Sequence, residues 1–415
     1  MKRSDVELLA PISSLESLQA AIKGGADSVY FGAGPLNMRS AASSGIQPGQ
    51  ICEIVSIARD KGIKSYITLN VTIFDDDMKC LLDTLDKAAK CKVDAIIASD
   101  IAVMEEARKR QLAVHASTQL NIANYSAVKF YSRWVDAIVL ARELKLGQIK
   151  AITDKIALDR ITGPSGKLLR IENFAHGALC MAVSGRCYMS LHTHNCSANR
   201  GQCVQVCRRS YSLTDNDKND NANLKVQGHY ILSPKDLCSL PFLDKLLNAG
   251  SSILKIEGRA RPPEYVLSVT RAYNHALMAI AEGSYNPALA RELEESLVKT
   301  FNRGFWDGYY LGAKVPELST AYGSASPYKK RFVGTVSNYY SRPGIASFTT
   351  ENEGPAEGQD VLIIGPTSGV VELTAKSMLV DDMPSSKPDR GRTVTMPVPC
   401  KLRRGDKLYV LEKRD

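Results

Sequence analysis

Short runs that are apolar on both faces recur along the first part of the chain, at residues 6–10, 28–32, 65–69, 95–99, 112–116, 137–140, 169–173 and 253–257. Strands buried on both sides read this way, and they belong to parallel sheets covered by helices. Between most of them the apolar positions fall at helical spacing, as in 15–23, 50–61, 78–91, 102–110 and 123–131. Helix stops stand where they are needed, with Gly24-Gly25 after the first helix and Gly62 after the second. A weak internal echo repeats the unit. Ala26-Asp27-Ser28-Val29-Tyr30, Val93-Asp94-Ala95-Ile96-Ile97 and Val135-Asp136-Ala137-Ile138-Val139 each carry an acidic turn into an apolar strand. Eight such strands predict an α/β fold, a closed (β/α)8 TIM-like barrel.

The pattern then changes. Residues 212–228 are polar, lack periodicity and read as a mobile loop; residues 318–331 read as a linker. After the linker, short strands at 332–337, 345–350, 360–364, 370–374, 393–397 and 407–411 alternate with Gly/Pro turns. The expected organisation is a barrel domain over 1–317, with a cysteine-rich insertion at 177–228, and a small all-β barrel over 332–415.

Composition narrows the class. The chain has 415 residues, of which 44% are hydrophobic and 23% charged, as in soluble globular proteins. It has no run of apolar residues long enough to span a membrane, and its N-terminus lacks the features of a signal peptide. The cytoplasm is therefore the expected location, with no disulfides among the ten cysteines. Cys52, Cys80, Cys91 and Cys400 read as buried small hydrophobes. The net charge of +9 suits RNA or a phosphorylated or carboxylated small molecule. Basic clusters at Arg108-Lys109-Arg110, Arg208-Arg209, Lys329-Lys330-Arg331, Arg390-Gly391-Arg392 and Arg403-Arg404 could track a nucleic-acid backbone, although such clusters are more often solvated surface.

The remaining six cysteines lie between residues 180 and 238. Cys180, Cys187, Cys203 and Cys207 are spaced C-x6-C, x15, C-x3-C. Converging thiolates repel unless a soft metal neutralises them, which leaves zinc or an iron–sulfur cluster. Structural zinc favours tighter knuckles. Cys196 and Cys238 are possible replacements, with Cys238 ranked first because it is expected to return to the barrel mouth. No H-E-x-x-H or G-x-S-x-G occurs, so neither a zincin nor a nucleophile elbow is present.

Barrel chemistry sits at the C-terminal strand ends. There the sequence places Arg39, Asn70, Asp100, Gln119, Arg142, Asn173, His176, Glu257 and Arg259. Asn70, Gln119, His176 and Glu257 are the catalytic candidates. Arg39, Arg142 and Arg259 could clamp carboxylates or phosphates, or simply pair with rim carboxylates such as Glu143 and Glu257. Lys255 lies within a strand and is expected to point outward.

One block of motifs resembles a known family. It comprises Glu172-x-Phe174-x-x-Gly177-Ala178-Leu179-Cys180, Ser184-Gly185-Arg186-Cys187-Tyr188-Met189-Ser190 and Asn199-Arg200-Gly201-Gln202-Cys203-x-x-x-Cys207-Arg208. Further matches are Leu232-Ser233-Pro234-Lys235-Asp236-Leu237-Cys238, Leu254-Lys255-Ile256-Glu257-Gly258-Arg259 and Phe301-Asn302-Arg303-Gly304-Phe305. The chain resembles, over nearly its whole length, the collagenase-like peptidases, the thirty-second family of unassigned mechanism. Despite the name, the resemblance implies oxygen-independent hydroxylation, and it is closest to the branch that forms 5-hydroxyuridine at the tRNA wobble position. It implies a [4Fe-4S] cluster on Cys180, Cys187, Cys203 and Cys207, prephenate as co-substrate, tRNA as partner and an electron donor. Peptide hydrolysis and hydroxylation of ribosomal RNA are the alternatives.

Overall fold

The structure is a computed structural model describing residues 1–41, 45–211 and 230–414. The polar stretch at 212–228 lies outside the described residues.

The strands are β1 (Glu7–Pro11), β2 (Ser28–Phe31), β3 (Lys64–Leu69), β4 (Ala95–Ala98), β5 (Ala113–Ala116), β6 (Ala137–Val139), β7 (Arg170–Ala178), β8 (Asp236–Cys238), β9 (Ile253–Ile256) and β10 (Phe305–Trp306). Strands β1 to β7 pair in order and in parallel, and β9 pairs in parallel with both β7 and β1. That closes the (β/α)8 barrel, with β9 as its eighth strand. The helices are α1 (Leu15–Gly24), α2 (Ile51–Asp60), α3 (Met78–Lys90), α4 (Ile101–Lys109), α5 (Tyr125–Tyr131), α6 (Leu146–Leu158), α7 (Met189–His194), α8 (Leu243–Asn248), α9 (Pro263–Glu282) and α10 (Pro287–Val298). Their apolar faces and the outward faces of the strands form one continuous core. None of the described helices is long and apolar enough to cross a membrane.

Strand β7 runs past the expected end at residue 173. Its extension pairs antiparallel with β8, which pairs with β10. Between Phe174 and His176 its register against β9 shifts, so that Phe174 faces Lys255 and His176 faces Ile256. A bulge of this kind reverses which face the following side chains occupy.

The lumen is polar, where many such barrels stack branched aliphatic side chains. At the lower end, buried Glu7 accepts from Tyr66 Oη at 2.5 Å and pairs with Arg170 at 2.6 Å and Lys64 at 3.0 Å. One level up, Glu172 pairs with Lys255 at 2.7 Å, and His115 Nδ1 lies 3.4 Å from its other oxygen. Leu9, Tyr30, Tyr66, Ala95, Ile97, Ala137 and Ile253 fill the space between.

The second sheet contains β11 (Tyr328–Tyr340), β12 (Ile345–Thr350), β13 (Asp360–Gly365), β14 (Gly369–Thr374), β15 (Leu379–Val380), β16 (Met383–Pro384), β17 (Thr393–Pro397) and β18 (Lys407–Lys413). It is antiparallel, in the order β14-β13-β18-β11-β12-β17-β15-β16. Its long strands all deliver one face to a single cluster around Val333, Phe348, Ile363, Val394 and Val410, so the sheet curls around that core. Strand β11 starts at Tyr328, inside the stretch expected to be a linker. Its basic start reads as polar spacer, but Arg331 pairs with Glu412 and Lys330 with Glu264. Leu362, Ile364 and Val370 join the barrel's core beside α1 and α9.

Two expectations about cysteines are corrected. Cys52, at the start of α2, and Cys91, just after α3, form a disulfide with a Cα–Cα distance of 4.9 Å. Neighbouring helix ends bring them together, which their separation of 39 residues conceals. Cys400 is exposed and Cys80 half-buried, so neither is a core residue.

Asp236 in β8 is fully buried and bridges Arg261 at 3.1 Å and Arg303 at 3.3 Å. Asp236→Ala would leave two guanidinium groups without their carboxylate. We expect it to cost about 3–5 kcal/mol in chemical denaturation; a loss below about 1 kcal/mol would show that solvent reaches this cluster.

Candidate active site at the barrel mouth

Above Glu172 and Lys255 the lumen opens into a cavity lined by Tyr30, Arg39, Asn70, Gln119, Arg142, Phe174, Cys180, Lys255, Glu257 and Arg259, among others. Glu257 stands at its centre. Its carboxylate lies 3.4 Å from Arg39 Nη2 and accepts from Tyr30 Oη at 3.3 Å. Burial pushes the Glu257 carboxyl up, but Arg39, Arg259, Arg142 and Lys255 outweigh it and hold it at about 2. Arg259 is buried and donates from Nη1 to Thr68 Oγ1 at 2.7 Å and to Asn37 Oδ1 at 3.1 Å. The Arg142 guanidinium carbon lies over the Phe174 ring, 3.7 Å from its centre, and Nη1 donates to the Ala178 carbonyl at 3.0 Å. Among the described residues, Nε of both Arg142 and Arg259 is buried without a hydrogen-bond partner.

The charges at this level do not balance. Lys255 is matched by Glu172 below it, leaving Arg39, Arg142 and Arg259 around the single carboxylate of Glu257. Uncompensated buried cations are costly unless an anion joins them.

A second network lines the cavity wall. Asn70 Oδ1 accepts from the Met38 backbone N–H at 3.2 Å. Its Nδ2 donates to Ser117 Oγ and to Gln119 Oε1, both at 3.2 Å. Ser117 Oγ also donates to Gln119 Oε1. A further cleft of about 370 Å³ opens beyond Asn70 and Gln119, walled by Arg186, Cys187, Tyr188 and Asn199.

The cysteine segment covers this mouth, and its motif residues explain how. Gly201, at φ +85°, sits so close to the rim that a Cβ there would lie 2.3 Å from the Asn37 carbonyl. Gly185, at φ +78°, packs on Gln119, and a Cβ would lie 2.8 Å from its Cγ. Only glycine fits both the conformation and the approach. Arg200 forms a two-pronged pair with Asp77 and stacks on Phe74 at 4.2 Å. Arg208 donates to the carbonyls of Leu179 and Pro234, tying the Cys207 turn to the base of the Cys180 loop.

Cys180, Cys187 and Cys203 lie near enough to Cys207 to act on it electrostatically. Burial pushes up the Cys207 thiol; Arg208 opposes this, and the charges of Cys180, Cys203 and Cys187 reinforce it. Arg39 lies between the two centres. Burial would lower its pKa, but Glu257, Cys180 and Cys203 together raise it. Among the described residues, no group of three or more His, Cys, Asp or Glu side chains is placed to hold a metal ion. In number and kind, the four cysteines are the donors an iron–sulfur cluster takes, and they could hold one.

The sequence profile of peptidase family U32 matches residues 13–320. The chain belongs to this family. It is 46% identical over 415 residues to a collagenase of Porphyromonas gingivalis, covering 100% of both chains. It is 32% identical over 365 residues to tRNA hydroxylation protein P1 of Bacillus subtilis, covering 87% of this chain and 83% of the relative. It is also 36% identical over 320 residues to the 23S rRNA 5-hydroxycytidine synthase of Escherichia coli, covering 75% of this chain and 46% of the relative.

Within this U32 enzyme, Arg39, Asn70, Gln119, Arg142, Glu257 and Arg259 meet in one cavity. His176 does not join them. The bulge in β7 turns it outward, where Tyr265, Tyr273 and Phe305 enclose it, and burial drives its pKa down to about 4. Cys238 is likewise enclosed outside the barrel, 3.9 Å from Tyr273 Oη, with burial pushing its thiol up to about 12. It does not return to the mouth. Lys255 points inward, contrary to expectation, with Nζ 4.4 Å from the centre of the Tyr30 ring. Of the basic clusters, Lys109 and Arg110 are paired with Glu106, and Arg331 with Glu412. Sequence reasoning also missed Tyr30, Phe174 and Tyr188. Phe174 alternates with Glu172 on a lumen-facing strand, and Tyr188 directly follows a motif cysteine, so both carried a signal.

Glu7 and Glu257 both fall from the ordinary 4.5 to about 2. A depressed carboxylate stabilises the fold above its unfolded pKa, and that stabilisation is lost as pH falls through the folded value. Stability should therefore decline between about pH 4.5 and pH 2. Glu257→Gln should flatten that decline in denaturant titrations run across this window. An unchanged slope would contradict the charge arrangement described here.

Proposed function

We propose that the protein is an iron–sulfur RNA-modifying enzyme that hydroxylates the wobble uridine of tRNA to 5-hydroxyuridine without molecular oxygen, using prephenate. The observation that carries this reading is the excess of buried and half-buried arginine around Glu257 at the mouth, beside the cysteine segment. Prephenate is a dicarboxylate, and Arg39, Arg142 and Arg259 present the cations such a ligand needs. The Nε atoms of Arg142 and Arg259 add donors that no group among the described residues uses. Relatives named for tRNA hydroxylation and for ribosomal-RNA hydroxycytidine synthesis support an RNA pyrimidine as substrate.

In this reading Cys180, Cys187, Cys203 and Cys207 would hold a [4Fe-4S] cluster, which when bound would carry electrons one at a time; replacing the uracil C5–H by C5–OH releases two electrons and two protons, so those electrons leave toward an acceptor. The side chains have separate tasks. At about 2, Glu257 stays ionised and is a weak proton acceptor, so it positions the arginines. Gln119 stands where the cavity meets the outer cleft and would face the base, with Asn70 orienting it. The cysteine segment covers the mouth and restricts water.

The collagenase-named relative supports a second reading, peptide hydrolysis. That chemistry needs an activated nucleophile, and among the described residues no histidine lines the cavity to activate Ser117, Ser184 or Cys180.

Nucleoside mass spectrometry of tRNA from a strain lacking this protein, with and without a plasmid copy, separates the two. The expected result is loss of 5-hydroxyuridine and its derivatives, and their return with the plasmid. Unchanged nucleosides in both tRNA and ribosomal RNA, together with cleavage of denatured collagen by the purified protein, would favour the peptidase.

A further inference from the structure

We propose that Gln119 is the residue that selects the base, presenting its amide N–H₂ group to the 4-carbonyl of a uracil and so discriminating against cytosine. This rests on the RNA-hydroxylase reading above and adds to it a physical basis for the choice of pyrimidine.

The orientation of the Gln119 amide follows from an unambiguous donor. The Met38 backbone N–H can only donate, and it lies 3.2 Å from one end of the Asn70 amide, which must therefore be the oxygen. The other end of Asn70 is then N–H₂, 3.2 Å from Gln119. The end of Gln119 facing Asn70 must accept, so it is the oxygen, and Ser117 Oγ donates to the same atom. Gln119 Nε2 is left facing away from this network with no hydrogen bond among the described residues. Ser117 and Asn70 are both buried, so the chain of orientations is fixed before any ligand arrives.

Gln119 occupies the wall shared by the inner cavity and the outer cleft of about 370 Å³. Gly185 packs on its aliphatic part and prevents it from swinging away. Across the cleft, Tyr188 offers an aromatic ring that is 70% exposed, on which an unstacked base can lie. Uracil and cytosine share a ring shape and differ at position 4, where uracil has a carbonyl acceptor and cytosine an amino donor. A fixed N–H₂ donor satisfies the first and opposes the second. Asn70 is a positioning residue in this scheme, since it acts only through Gln119.

Two variants separate the proposal from a simple loss of activity. Gln119→Glu keeps the acceptor toward Asn70 and Ser117 but turns the cleft-facing end from donor to acceptor. Asn70→Asp keeps the acceptor for Met38 but can no longer donate to Gln119, so the Gln119 amide flips and its oxygen faces the cleft. Each is expected to shift the ratio of 5-hydroxyuridine to 5-hydroxycytidine by about tenfold or more toward cytidine. The ratio would be read by nucleoside mass spectrometry of total RNA from a host lacking other RNA hydroxylases. Binding of the full-length protein to two unstructured oligoribonucleotides, differing in one central uridine or cytidine, gives a readout independent of catalysis. Wild type should prefer the uridine probe, and both variants should lose or reverse that preference.

A wild-type protein that makes 5-hydroxycytidine would overturn this assignment and leave RNA hydroxylation standing. Folded variants with an unchanged ratio and unchanged probe preference would do the same. No hydroxylated pyrimidine and no probe preference in wild type would overturn both.

Discussion

One buried carboxylate, Glu257, allows three arginines to gather at the mouth of the barrel. Without it, Arg39, Arg142 and Arg259 would repel one another in a space that burial has largely dried. With it, the group still carries more positive than negative charge. The imbalance costs stability, and a dicarboxylate would offset it on binding. The lower levels of the lumen serve the same arrangement. Glu172 holds Lys255, and Glu7 holds Arg170 and the half-exposed Lys64, so the lower levels exceed balance by one cation that reaches solvent, while the top level exceeds it by two.

The cysteine segment extends that arrangement. Gly185 and Gly201 let its backbone touch the rim, and Arg200 and Arg208 pin it from either side. Arg39 feels Glu257 and also Cys180 and Cys203, so the anion site and the cysteine site are coupled through one guanidinium. A co-substrate and a cluster held on opposite sides of Arg39 would influence each other electrostatically.

Much of this was legible in the sequence. The eight apolar runs, the acidic turns before them and the Gly stops gave the barrel, because burial on both strand faces leaves a pattern that survives without alignment. Strand ends gave the rim, so six of the polar candidates meet in one cavity. What failed depends on distant geometry. Period-two alternation carries His176 to the same face as Phe174, and only the bulge, set by pairing with β9, turns it out. The same pairing turns Lys255 in. Cys52 and Cys91 show no local sign of meeting, since their contact comes from helix packing around the barrel. The basic start of β11 looks like a linker because its charges are answered by residues far away in the chain, Glu264 and Glu412.

The account turns on Cys180, Cys187, Cys203 and Cys207 holding a cluster above the arginines. The most direct measurement is iron and acid-labile sulfide in anaerobically purified protein, for wild type and for Cys203→Ser, Cys196→Ser and Cys238→Ser. The account predicts about four irons and a broad visible absorbance in wild type, lost in Cys203→Ser and retained in the other two variants. Absence of iron from wild type, or iron content that is indifferent to Cys203, would contradict it.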